Sequence, residues 1–166
     1  MSHLPLPLPE GVLCTLIGAP GSGKSTFAAR YPSTWRLNLD TYRGLATDSE
    51  ADQTATPVAA EIQNLLLDAR LSRNLRVVVD STNLHAHVRA GLLARARYWQ
   101  RPTCAVLFDV PLDTAQARNA DRGRIVPPDV VRDLHQLLPS TDQLAVEGFA
   151  RVYRISEIVS PLPVEQ

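Results

Sequence analysis

Residues 18–25 read Gly-Ala-Pro-Gly-Ser-Gly-Lys-Ser, and they stand between a short apolar run and a segment of helical character. This is the pattern G-x-x-x-x-G-K-[ST]. In such a loop the glycines let backbone N–H groups wrap the α- and β-phosphates of a nucleotide, the lysine reaches the β- and γ-phosphates, and the hydroxyl holds Mg²⁺. The pattern carries that meaning only when a strand runs into it and a helix leaves it. Residues 12–17, Val-Leu-Cys-Thr-Leu-Ile, suit a buried central strand, and residues 25–30 continue as helix until Pro32 stops it. Gly18, Ala19, Pro20, Gly21, Ser22, Gly23, Lys24, Ser25 and Thr26 are therefore expected to contact a nucleoside triphosphate, ATP or another. Lys24 is the only lysine in the chain, which otherwise uses sixteen arginines.

The rest of the chain alternates strand-like and helix-like stretches. Residues 34–40 alternate apolar and polar side chains and predict a second strand with Asp40 at its C-terminal end. Residues 46–56 are small, polar and without period, as expected of a mobile loop, and Pro57 then opens a long helix that ends near residues 73–74. The β-branched run before Asp80 predicts a buried parallel strand over 75–80. Helical spacing returns over 84–99, a buried strand over 103–110, helices over 112–122 and 129–138, and a last strand over 149–155. The fold expected is α/β: one domain over 11–166 with a parallel five-stranded sheet flanked by helices, ligands binding at the C-terminal strand edges. Residues 1–10 alternate leucine and proline and predict a flexible arm.

Composition narrows the partners. The 166 residues suit one domain with a single core, and 45% hydrophobic content supports a globular fold. Seventeen basic and seventeen acidic residues cancel. No broad positive field exists to hold a long nucleic acid by its backbone, so any such contact is expected to be local. Cys14 and Cys104 lie in apolar runs and read as buried free thiols of a reducing compartment. His85 and His87, two apart, would face different sides of a helix and make a poor metal pair. With no membrane-length apolar segment and no secretory leader pattern, a soluble cytoplasmic chain is expected.

Several residues are candidates for chemistry beside the loop. Asp80, at a strand end, suits an acid that helps to hold Mg²⁺ opposite Ser25, although it could instead cap the next turn. Ser81 follows it, so the chain lacks there the neighbouring glutamate that many hydrolytic motors use on water. Transfer to a bound hydroxyl is favoured over hydrolysis. Asp40 suits the base for that hydroxyl, with Arg43 three residues on to hold a phosphate by a charge-assisted fork. The plainer reading makes Asp40 a helix cap and Arg43 a solvated side chain. Arg118 and Arg122, four apart on one helix face, would repel by about 0.2–0.5 kcal/mol unless a bound triphosphate, or Asp121 paired with Arg118, offsets it. Residues 118–128 suit a small arginine-bearing lid.

Taken in order, these blocks resemble a known group. The phosphate loop, Leu-Asp40-Thr-Tyr-Arg43, Asp80-Ser-Thr-Asn83, Phe-Asp109-Val-Pro, Arg118-Asn-Ala-Asp-Arg122-Gly and Val126-Pro-Pro-Asp-Val-Val-Arg132 are similar to the P-loop kinase domain of phage-type 5′-OH polynucleotide kinases, over about residues 12–138. The resemblance implies transfer of the γ-phosphate of ATP to the 5′-hydroxyl of DNA or RNA. It makes Asp40 the general base, has Arg43 contact the reacting phosphate or acceptor, and puts Arg118 and Arg122 on the nucleotide. In the best-known phage member the corresponding block is Asp-Thr-Asn; here it is Ser81-Thr82-Asn83, with the acid one place earlier, so the role of that aspartate does not carry to Ser81. No phosphatase domain accompanies this chain, so a kinase alone is expected.

Two other readings remain open on these residues. One is a small-molecule kinase of the same superfamily, acting on a sugar, an antibiotic or a nucleotide-sugar, with its pocket built from residues 46–56 and the helix after them. The other is a non-catalytic ATP-sensing module, against which Asp40 and the lid arginines argue. A guanine-specific switch lacks its Asn-Lys-x-Asp motif.

Overall fold

In the computed structural model, which describes residues 6–123 and 125–158, the β-branched and apolar runs become five parallel strands in the order β2-β3-β1-β4-β5. They are β1 (Leu13–Ile17), β2 (Arg36–Leu37), β3 (Val77–Val79), β4 (Thr103–Leu107) and β5 (Arg151–Arg154). Every residue of β1, β3 and β4 is buried, which is why these strands read as continuous apolar runs with no polar alternation. The period of two is still used. Cys14 and Leu16 face a cluster with Phe27, Ala28 and Phe108 on one side. Leu13 and Ile17 face the other side, where α3 (Thr56–Leu71) and α4 (Ala86–Tyr98) bring Leu67, Leu71, Leu92 and Leu93.

The remaining helices are α1 (Lys24–Ala28), α2 (Leu39–Thr47), α5 (Leu112–Ala120), α6 (Pro128–His135), α7 (Thr141–Glu147) and α8 (Ile155–Ile158). The last two were not anticipated. Ser140 caps α7 through its side chain, and Leu144 buries it against the sheet side that carries Ile17.

The second strand is much shorter than the 34–40 expected. Ser33–Trp35 form a 3₁₀ turn, and Asn38 accepts from the backbone N–H of Asp40 at 2.8 Å and of Thr41 at 3.4 Å. This N-cap starts a helix where alternation suggested strand, so Asp40 stands in the first turn of α2 and not at a strand end. The stretch 46–56 is likewise more structured than a mobile loop. Helix α2 runs to Thr47, Asp52 caps a 3₁₀ turn at Gln53–Ala55, and α3 begins at Thr56.

From residue 6 onward the N-terminal segment is packed, contrary to a loose arm. Leu6 and Leu8 join the core, Tyr31 donates its hydroxyl to the Leu6 carbonyl at 2.6 Å, and Arg76 Nε donates to the Leu8 carbonyl at 2.8 Å. Prolines keep this segment extended, and Tyr31, just after α1, and Arg76, just before β3, take up its carbonyls. Residues 1–5 lie outside the described residues. Cys14 and Cys104 are buried free thiols, as expected, and are register partners on adjacent strands. Contact with Cys104 and burial push the Cys14 thiol up. His85 and His87 are exposed, yet their rings stack at 5.6 Å, because His85 is the extended residue before α4 and not part of it.

Candidate active site

The phosphate loop leaves β1 and is shaped by close approaches. Gly21 and Gly23 have φ of 82° and 99°, in the region that favours glycine. A Cβ on Gly21 would stand 2.3 Å from the Ala115 carbonyl oxygen, so the loop lies directly against α5. Two further ties hold it. Gly18 N–H donates to the Thr82 carbonyl at 3.0 Å, and Arg118 donates to the Ser22 carbonyl at 3.2 Å. Asn83, with φ of 49°, donates its amide to the Leu16 carbonyl at 2.7 Å, which fixes the 81–83 segment to β1.

Lys24 is buried at the base of the loop. Its Nζ donates to the carbonyls of Gly18 at 2.7 Å and Ala19 at 2.8 Å and to Ser22 Oγ at 3.3 Å. Burial pulls its pKa down to about 8; the Asp80 carboxylate opposes this, and the Arg122 guanidinium adds to it.

A cavity of about 650 Å³ opens above the loop, within the size range of small-molecule sites. Pro20, Gly21, Gly23, Lys24, Ser25 and Thr26 form its floor, and Arg118 and Arg122 line it from the α5 side. Asn38, Leu39, Asp40 and Arg43 line it from α2, with Asp80, Ser81 and Thr82 between. Every loop residue proposed from sequence except Gly18, Ala19 and Ser22 faces this space, and those three serve as partners of Lys24. Arg43 is buried, not solvated. Its Nε donates to the Glu50 carbonyl at 2.9 Å and its terminal nitrogen pairs with the Asp40 carboxylate. Asp80 is 3% exposed; Asn38 Nδ2 donates to its Oδ2 at 3.4 Å, and Arg36 lies 4.0 Å away. These contacts hold it at the C-terminal end of β3.

The segment suggested as a lid is tied at both ends. Asn119 donates to the Val126 carbonyl at 2.6 Å and accepts from its N–H at 3.1 Å, and Gln116 donates to the Pro128 carbonyl at 2.8 Å. Arg124 lies outside the described residues. Asn38, Gln53 and Leu134 also line the cavity and were not singled out from sequence, and Val126 and Val130 were noted only as members of the block that ends at Arg132. An asparagine two places before an acid carries no pattern. The three apolar residues looked like ordinary helix and loop positions.

A family model for an AAA domain matches residues 13–139, most of the chain and all of the cavity's lining. The chain belongs to the AAA domain family. Among curated proteins, this AAA domain is similar to an L-seryl-tRNA(Sec) kinase of Methanococcus maripaludis, 25% identical over 134 residues that take in 75% of this chain and 51% of that one. It thus spans about half the length of that relative. Among solved structures, a chain of the Pnkp1/Rnl/Hen1 RNA repair complex superposes with a TM-score of 0.68 at 24% identity, over 86% of this chain and 47% of that one. Kti12 of Chaetomium thermophilum, in complex with ADP-AlF3, gives 0.59 at 18% identity over 86% and 88%. The fold is the P-loop kinase type. Ser25 and Asp80 offer only oxygen donors, a set that fits a hard cation such as Mg²⁺. Among the described residues no helix is long and apolar enough to cross a membrane, and no group of three or more His, Cys, Asp or Glu is arranged to hold a metal.

Proposed function

We propose that this domain is an ATP-dependent phosphotransferase that passes the γ-phosphate to the 5′-hydroxyl of a DNA or RNA end, with Asp40 as general base. The observation that carries this reading is that Asp40 and Arg43, one turn apart on α2, line the same cavity as Lys24, Arg118 and Arg122. Phosphoryl transfer needs an acceptor base on one side of the migrating group and positive charge around it. The half-buried Asp40 carboxylate takes the acceptor's proton, and Arg43, anchored by the Glu50 carbonyl, keeps it oriented. Lys24 exchanges the Gly18 and Ala19 carbonyls for phosphate oxygens. Arg118 and Arg122 face the charge that builds on the equatorial oxygens. Residues 118–128 serve as the lid that excludes water from the transfer. Ser25 and Asp80 would hold Mg²⁺, which when bound neutralises phosphate charge.

A nucleic-acid acceptor is supported by two relatives: the kinase of Methanococcus maripaludis is named for a tRNA, and the repair complex for RNA. Zero net charge fits an enzyme that touches only a strand end. A panel of 5′-OH DNA, 5′-OH RNA and small sugar hydroxyls, offered with labelled ATP and Mg²⁺ under one condition, tests the assignment. Label should pass to an oligonucleotide end well ahead of the small acceptors. Preference for a small hydroxyl would overturn the polynucleotide reading and leave a kinase of another substrate.

A further inference from the structure

The amide of Asn38 touches both halves of the site. Its Oδ1 caps α2 by accepting from Asp40 N–H at 2.8 Å and Thr41 N–H at 3.4 Å, and its Nδ2 reaches Asp80 Oδ2 at 3.4 Å. Asn38 is the last extended residue after β2, with φ of −142° and ψ of 120°, and it lines the cavity beside Asp40. We propose that Asn38 is a positioning residue that couples the acid at the metal position to the helix carrying the general base. This rests on the phosphotransferase reading above.

Each end of the amide prevents a competing arrangement. Asp80 is buried, and Arg36 stands 4.0 Å from the oxygen to which Asn38 donates. A charge-assisted bond from the amide occupies Oδ2 and fixes the carboxylate plane, which leaves the other oxygen for the cation side. Without it the carboxylate is free to turn and close on Arg36, a competing partner. At the other end, the cap fixes where α2 begins, and so where Asp40 and Arg43 stand relative to Asp80. A serine at 38 can cap the helix about as well as asparagine but is too short to reach Asp80. An aspartate would cap as well, yet it would place a second carboxylate against the first. Capping alone therefore does not explain an amide here.

Asn38→Ser separates the two roles, and Asp80→Asn closes a double-mutant cycle. The first readout is binding of a fluorescent ATP analogue as a function of Mg²⁺, which requires no acceptor; the thermal midpoint and transfer to a 5′-OH oligonucleotide accompany it. Asn38→Ser should keep the wild-type thermal midpoint, raise the Mg²⁺ half-saturation several-fold and lower kcat more than it changes the KM for the acceptor. In the Asp80→Asn background the Mg²⁺ shift should vanish. Wild-type Mg²⁺ dependence in Asn38→Ser, or a shift that persists unchanged without Asp80, would overturn the coupling. Wild-type protein that binds no nucleotide with Mg²⁺ would instead overturn the functional reading on which it rests.

Discussion

Lys24 is the residue whose environment departs furthest from what its motif alone implies. Its ammonium is buried among loop carbonyls, and burial lowers its pKa to about 8. Because it is the only lysine, an amine-reactive ATP analogue should modify this side chain and the terminal amine alone. The rate should rise steeply through about pH 8, as the neutral amine appears, and MgATP should protect; peptide mapping of the labelled protein measures both. Labelling that ATP fails to block, or a rate that rises only near pH 10, would contradict the assignment. At this scale the loop was legible because eight consecutive residues must cooperate on one phosphate chain. Asn38 was not legible. Its proposed role depends on a partner at position 80, and nothing in the local string marks that contact.

Among the elements, α2 and α7 show where sequence reasoning stops. Residues 34–40 alternate in polarity, which argues strand, but the side chain of Asn38 satisfies two backbone donors and turns the chain into helix. Local capping overrides a weak period of two. Helix α7 has only seven residues, too few for a 3.6-residue period to declare itself. Its Glu147 nonetheless forms a two-point ion pair with buried Arg89, at 2.6 and 2.8 Å, and Arg89 in turn donates to the carbonyls of Asn83 and Leu84 beside the site. Glu147→Gln should cost about 3–5 kcal/mol in urea unfolding at pH 7, since it strands a buried guanidinium. The bond to Arg89 holds the Glu147 pKa below its usual value of 4.5. The ion pair's contribution is therefore complete above that value and fades as pH falls through the lower folded-state pKa. The gap between wild type and Glu147→Gln should be constant near neutrality and narrow below about pH 4.5. A gap that grows on acidification would contradict the pairing.

For the whole molecule, the strand order β2-β3-β1-β4 sets the order of the chemistry. Asp40 follows β2, Asp80 follows β3, the phosphate loop follows β1, and Arg118 with Arg122 follows β4. The proposed acceptor base, metal acid, triphosphate cradle and stabilising arginines thus arrive side by side along one sheet edge. The alternation of strands and helices was legible because buried parallel strands need long apolar runs and helical crossovers. The order of the strands was not, because it depends on which runs pair across dozens of residues. In the proposed function this row of groups moves a phosphate onto a hydroxyl activated by Asp40. Its most direct test is Asp40→Asn, assayed for transfer of labelled γ-phosphate to a 5′-OH oligonucleotide at saturating MgATP, with ATP affinity measured in parallel. Transfer should fall by about 10²–10⁴-fold while ATP binds as in the wild type; undiminished transfer by Asp40→Asn would contradict the account.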